Sequence, residues 1–70
     1  MERTPVQSSN LAAIGYDSAT ETLEVEFLDS SVYEYKNVSQ VVYDELVSAS
    51  SHGSYFNREI SRNYPYEKIG

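Results

Sequence analysis

The chain has 70 residues, of which 40% are apolar, and its 11 acidic and five basic residues give a formal net charge of −6. A chain this short hides only about 60% of the surface that its unfolded form exposes, which allows one small domain and excludes a two-domain enzyme or a repeat array. The absence of cysteine excludes disulfides and thiolate metal sites, and no apolar run approaches the ~20 residues of a membrane helix.

Residues 1–7 contain Pro5 and few apolar side chains, which predicts a flexible N-terminal leader followed by a single domain over residues 8–70. The leader lacks the hydrophobic segment of a signal peptide. We therefore expect no membrane association. The expected location is the cytoplasm, either of a bacterium or, for a phage-encoded chain, of its host.

Three strands are predicted in the first half of the chain. The clearest signal is a strict alternation that places Leu23, Val25 and Phe27 on one face, opposite polar residues on the other. Short polar residues that favour turns separate this strand from an apolar run before it and from a tyrosine-rich run after it. The predicted strands are residues 11–16, 22–27 and 32–36, with turns at 17–20 and 28–30.

The length of the second turn decides which way the tyrosines of the third strand face. A three-residue loop places Tyr33 and Tyr35 on the same face as Val25, whereas a two-residue loop places Glu34 there and buries its charge. Because register follows the residues that can be buried, we predict the three-residue loop.

Two helices are predicted in the second half. Ser39 is a suitable N-cap for a helix over residues 40–49, whose apolar positions recur every three or four residues. Gly53 is expected to end this region in a left-handed conformation, and Ser54 to cap a shorter helix that ends by Asn63, before Pro65. The predicted fold is α+β: a three-stranded antiparallel meander covered on one face by two short helices.

The opposite face of the sheet is expected to be open to water and to carry Glu24, Glu26, Glu34 and Lys36, with Lys36 offsetting Glu24. Paired carboxylates can perform acid–base chemistry or bind Ca²⁺ or Mg²⁺, but an open face offers no burial and strand spacing does not make a loop-type cage. We predict no metal and no cofactor.

A group of serines around His52 suggests a hydrolase, but Ser51 and His52 are sequence neighbours in a short segment, where their side chains do not point at each other. Nucleophilic catalysis needs a base held against the nucleophile and oriented by a third group. We predict that the chain is not an enzyme, and that His52 lies at the C-terminal end of the first helix, where the helix dipole favours it.

Seven tyrosines in 70 residues suggest a binding surface, because tyrosine combines an apolar ring with a polar hydroxyl. Two roles stay open for the third-strand tyrosines: packing under the helices, or stacking on a base or partner. Further tyrosines share the C-terminal segment with two arginines, which suits a ligand that is planar or carries phosphate. The candidate binding residues are Tyr33, Tyr35, Tyr55, Arg58, Arg62, Tyr64 and Tyr66; none is assigned a catalytic role.

Over residues 8–69 the sequence resembles the KTSC domain family. The resemblance rests on the order of short motifs, chiefly Tyr33-Glu34-Tyr35 and the run Ser51-His52-Gly53-Ser54-Tyr55-Phe56-Asn57. The family is named for a segment at the C-terminus of some lysyl-tRNA synthetases and also occurs as small stand-alone proteins of bacteria and phages. Where the family often has glycine in the second hairpin this chain has Ser30, and where it often has arginine after the isoleucine this chain has Ser61.

The resemblance and the composition lead to a non-enzymatic binding module. The synthetase context implies RNA as the partner, whereas the acidic charge favours a protein. The alternative is an oligomer that binds a small ligand such as a nucleotide, or a phage-type inhibitor of a host factor. A homo-oligomer would also help so small a core to gain stability.

Overall fold

Five antiparallel strands in the order β1-β2-β3-β4-β5 form the sheet of the computed structural model, which describes residues 2–70. A helix and a second, composite helical segment follow β4 in the chain. The strands are β1 Thr4–Pro5, β2 Leu11–Asp17, β3 Thr22–Phe27, β4 Val32–Tyr35 and β5 Tyr66–Lys68. The helices are α1 Gln40–Ser48 and α2 His52–Tyr55, which continues as a π-helical turn over Phe56–Ile60.

The α+β class is confirmed, but the expectation of three strands is wrong. The two additional strands are short edges: β1 pairs with β2, within the segment predicted to be a leader, and β5 pairs with β4. Neither carries an apolar alternation. Each pairs through the free backbone N–H and C=O groups at the edge of a neighbouring strand. The alternation of side chains along a single segment does not reveal such pairing.

The predicted register of the central hairpin is confirmed. Leu23 lies opposite Tyr35, and Val25 lies opposite Tyr33. The loop has three residues, closed by a hydrogen bond of 2.8 Å from the Phe27 N–H to the Ser31 carbonyl. Ser30 takes the left-handed conformation with φ 75°, as such loops require.

The helical segments begin with serine caps. Ser39 accepts a hydrogen bond from the Val42 N–H, as predicted. The second cap is Ser51 rather than Ser54, because the Ser51 hydroxyl accepts from the Ser54 N–H. Gly53 is not left-handed; it lies buried inside α2.

Gly53 is required for close packing between α2 and the chain before β2. A Cβ at this position would lie 2.1 Å from Asn10 Oδ1 and 2.9 Å from Ser8 Oγ. The Ser8 hydroxyl in turn bonds Asn10 Oδ1 and accepts from the Leu11 N–H. The glycine therefore lets α2 dock on a turn that the serine and asparagine hold in place.

The core lies between the sheet and the helical segments. Apolar side chains of β2, β3 and β4 meet the first helix and the π-helical turn there, with Phe56 and Ile60 buried. The buried cluster consists of Leu11, Ile14, Leu23, Val25, Tyr35, Val38, Leu46, Phe56 and Ile60.

The outer face of the sheet is less open than the sequence suggests. Glu24, expected in water, is only 5% exposed. Arg3 forms ion pairs with Glu24 and, at 3.4 Å, with Glu26. Lys36 was expected to offset the charge of Glu24, but it forms an ion pair with Glu34 instead, at 2.8 Å. The N-terminal segment thus supplies the cation that this face needs.

Candidate functional site

An open cleft of about 370 Å³ lies on the helical side of the sheet, between its inner face and the end of the π-helical turn. Its walls are mainly aromatic, with two serines among them. The lining residues are Phe27, Ser31, Tyr33, Tyr35, Ser61 and Tyr66.

Strand geometry brings the three tyrosines of the cleft together. Tyr33 and Tyr35 alternate with Glu34 on β4 and so share one face, and Tyr66 lies directly opposite Tyr35 on β5. The ring centroid of Tyr66 lies 6.0 Å from that of Tyr33 and 5.5 Å from that of Tyr35. Phe27 meets Tyr33 edge to face, at 5.7 Å between centroids. The result is a continuous aromatic wall.

The tyrosines of the wall differ in exposure. Tyr35 is buried, and this burial raises its pKa to about 12. Tyr33 is half-buried, whereas Tyr66 is 60% exposed at the rim. Tyr35 therefore takes the first of the two roles considered from the sequence and packs into the core, whereas Tyr33 and Tyr66 keep part of their ring surface exposed to solvent.

Two cations lie close to the cleft in the fold. Lys68 is directly opposite Tyr33 in the β4–β5 pair and so shares the inner face of the sheet, while Arg62 follows the lining residue Ser61. Within residues 2–70, neither side chain has a carboxylate at ion-pair distance, although Lys68 lies near enough to Asp29 to contribute to the lowered pKa of that carboxyl.

The other candidate residues do not line the cleft. The Tyr55 hydroxyl donates to Glu45 at 2.6 Å, and burial, together with this carboxylate, raises the pKa of Tyr55 to about 12. The Arg58 guanidinium lies 5.8 Å from the Tyr55 ring centroid and bonds Glu59 at 2.9 Å. Tyr64 packs against the core. The structure therefore separates the seven candidates into a cleft group and a group around α2.

The serine and histidine around α2 make structural contacts. Ser51 caps α2. His52, predicted at the end of the first helix, is instead the first residue of α2, and its Nδ1 lies 2.8 Å from the Leu46 carbonyl of α1. Within residues 2–70, no three His, Asp or Glu side chains come together as metal ligands. In the same range no helix is long and apolar enough to cross a bilayer.

Sequence reasoning missed three lining residues. Phe27 could have been found, because it shares the alternating face of β3 and adjoins Tyr33 across the hairpin. Ser31 and Ser61 belong to no sequence motif or periodicity that would identify them as cleft residues. They reach the cleft because Ser31 directly follows the three-residue hairpin loop and Ser61 follows the π-helical turn.

The comparisons with known proteins agree with this fold. The KTSC domain matches residues 7–64. The crystal structure of a KTSC domain protein from Yersinia pestis superposes with a TM-score of 0.95 at 35% identity, covering 99% of this chain and 97% of that one. An uncharacterised protein of Stutzerimonas stutzeri is 39% identical over 99% of both chains.

A third relative is a much longer protein. A lysine–tRNA ligase of Trichormus variabilis is 44% identical over 77% of this chain, but the match spans only 10% of the ligase. The matching family, the solved structure and the full-length relative together establish the family: the chain belongs to the KTSC domain family.

Proposed function

We propose that this KTSC domain is a non-enzymatic binding module that holds nucleobases of single-stranded RNA in the aromatic cleft. The observation that carries the proposal is the exposed tyrosine surface of a cleft large enough for a planar group. Base–aromatic stacking contributes about 1–3 kcal/mol per base and needs no particular sequence.

The charges near the cleft support this choice. Lys68 lies on the inner face of the sheet and Arg62 follows the lining residue Ser61, positions from which contacts with phosphates are proposed, while Glu34 and Glu67 lie opposite each other on the other face of the sheet. The relatives that are lysine–tRNA ligases add a context in which RNA is near. We also propose a cytoplasmic location.

Direct binding measurements test the proposal. Fluorescence anisotropy with labelled single-stranded RNA at low ionic strength should show binding that Tyr66→Ala weakens about 5- to 150-fold, the range expected for one lost stack. Val41→Ala is the matched control, because Val41 is also apolar and 65% exposed but lies on α1, outside the cleft. Equal losses for both variants, or no binding at low salt, would contradict the proposal.

Salt dependence tests the role of the cations. Two phosphate contacts on a single strand predict a slope of about −1.4 in log affinity against log salt concentration. Removing Arg62 or Lys68 should reduce this slope by about 0.7 each. Arg58→Ala should leave it unchanged, because Arg58 is engaged by Glu59 and Tyr55.

The same experiment distinguishes other occupants. A free mononucleotide would offer the same base and phosphate, so a panel of mononucleotides competing with the labelled RNA identifies a small-ligand binder or an oligomer that encloses one. A protein partner is the second class suggested by the charge of −6. Its most direct contact, the carboxylate face, is already partly neutralised by Arg3 and Lys36.

A further inference from the structure

Two serine hydroxyls of the cleft have their hydrogens engaged by the protein itself. The Ser31 hydroxyl donates to Asp29 Oδ1 at 2.6 Å, and the Ser61 hydroxyl donates to the Asn57 carbonyl at 3.0 Å. A serine hydroxyl has one hydrogen and two lone pairs. Both serines can therefore accept a hydrogen bond from a ligand without giving up these contacts, whereas donating one would cost each serine its present contact.

The roles in these two hydrogen bonds are not reversible. A peptide carbonyl such as that of Asn57 is only an acceptor. The hydroxyl and the N–H of Ser31 both donate to the Asp29 carboxylate, and these bonds lower the pKa of Asp29, which stays ionised at neutral pH. An ionised carboxylate is likewise only an acceptor.

We propose that Ser31 and Ser61 make the cleft select nucleobases that carry an exocyclic amino group over uracil. This inference rests on the proposed function. Cytosine and uracil have nearly the same shape and stack alike, but cytosine presents an amino group with two hydrogens where uracil presents a carbonyl oxygen beside a single N3–H. The cytosine amino group has one hydrogen for each serine, whereas uracil has one for the two, and its carbonyl gains no hydrogen bond unless a serine gives up its present contact.

The experiment compares two RNA oligonucleotides of equal length, one of cytidines and one of uridines, on the whole protein. Wild-type protein should bind the cytidine oligonucleotide about fivefold more tightly, the discrimination that a net hydrogen-bond contribution of about 1 kcal/mol provides. Ser61→Ala should bring this ratio towards one. Ser54→Ala is the control, since Ser54 is exposed and does not line the cleft.

Asp29→Ala provides an opposite perturbation, because it frees the Ser31 hydroxyl to donate to a uracil carbonyl. It should improve uridine binding relative to cytidine binding, and the ratio is unaffected by any uniform gain from the lost negative charge. Circular dichroism confirms that each variant is folded. Equal affinity for both oligonucleotides, or a ratio that neither Ser61→Ala nor Asp29→Ala changes, would overturn the inference alone. Binding of neither oligonucleotide would overturn the proposed function with it.

Discussion

The ion pairs of Arg3 connect the N-terminal segment to the outer face of the sheet, and replacing this residue should destabilise the domain. Arg3 bonds Glu24, whose side chain is 7% exposed, and approaches Glu26 at 3.4 Å. Across the sheet Glu24 lies directly opposite Glu34. Arg3→Ala therefore leaves a nearly buried carboxylate beside another carboxylate.

The magnitude follows from the geometry. Two unit charges about 4 Å apart attract by about 4 kcal/mol at an effective dielectric constant of about 20. Holding one arginine side chain in place costs up to about 2 kcal/mol of conformational entropy. Because Arg3 remains 31% exposed, water screens part of the attraction. We expect Arg3→Ala to lower the free energy of unfolding by about 1–2 kcal/mol, and the midpoint temperature by about 5–10 °C.

Urea denaturation followed by circular dichroism measures this loss, and a double-mutant cycle assigns it to the pair. In a Glu24→Gln background the carboxylate is absent, so Arg3→Ala should cost at least about 1 kcal/mol less than in wild type. Arg62→Ala is the matched control, an exposed arginine outside the observed ion pairs, and should change stability little. Additive effects of the two substitutions, within about 0.3–0.5 kcal/mol, would refute the reasoning.

Three further predictions concern the hairpin, the α2 contact and the tyrosines. Ser30→Gly should raise the free energy of unfolding by about 0.5 kcal/mol in urea, because Ser30 has φ 75° and glycine adopts this conformation without steric cost; a lower urea midpoint would contradict this. Gly53→Ala should cost about 2 kcal/mol in thermal unfolding, since its Cβ would meet Asn10 Oδ1 at 2.1 Å, and the cost should shrink in an Asn10→Ala background. Titration of phenolate absorbance should show late ionisation of Tyr35 and Tyr55, whose pKa values burial raises from 10.0 to about 12. Since the folded-state pKa is the higher one, their contribution to stability is complete below pH 10 and is lost as the pH rises towards 12; a titration complete near pH 10 in folded protein would contradict it.

The central hairpin was predictable because two independent constraints agree on it. The alternation of Leu23, Val25 and Phe27 sets the buried face of β3, and the three-residue loop then fixes the direction of Tyr33 and Tyr35. A slip of one residue would have buried Glu34, so only one register satisfies both. The same parity predicts that two tyrosines of the cleft, Tyr33 and Tyr35, share one face.

The edges of the sheet and the division of the candidate site were not predictable in this way. Tyr55 and Tyr66 are close in sequence, but the chain reverses after the π-helical turn and returns to β4 as β5. This return brings Tyr66 next to Tyr35 on β4 and leaves Tyr55 beside Glu45. Because β5 has only three residues, it is too short to show an alternation of apolar and polar side chains that would predict a strand.

The position of the charges matters more for the proposed RNA binding than their sum. The net charge of −6 predicts repulsion of a polyanion, yet Glu24, Glu26 and Glu34 lie on the face opposite the cleft and are partly paired with Arg3 and Lys36. At physiological salt, exposed charges more than about 8 Å apart are largely screened. A phosphate at the cleft would therefore respond mainly to the nearby cations and only weakly to the outer carboxylates.

Substitutions on the two faces of the sheet test whether screening separates them. Glu67→Gln removes an exposed charge from the outer face, where it lies opposite Glu34. If distance and screening govern the interaction, this substitution should change RNA affinity at physiological salt less than twofold, whereas Lys68→Gln, one residue away but on the inner face, should weaken it several-fold. Equal and opposite effects of the two substitutions would mean that the ligand responds to net charge, and that the sheet does not separate its two faces electrostatically.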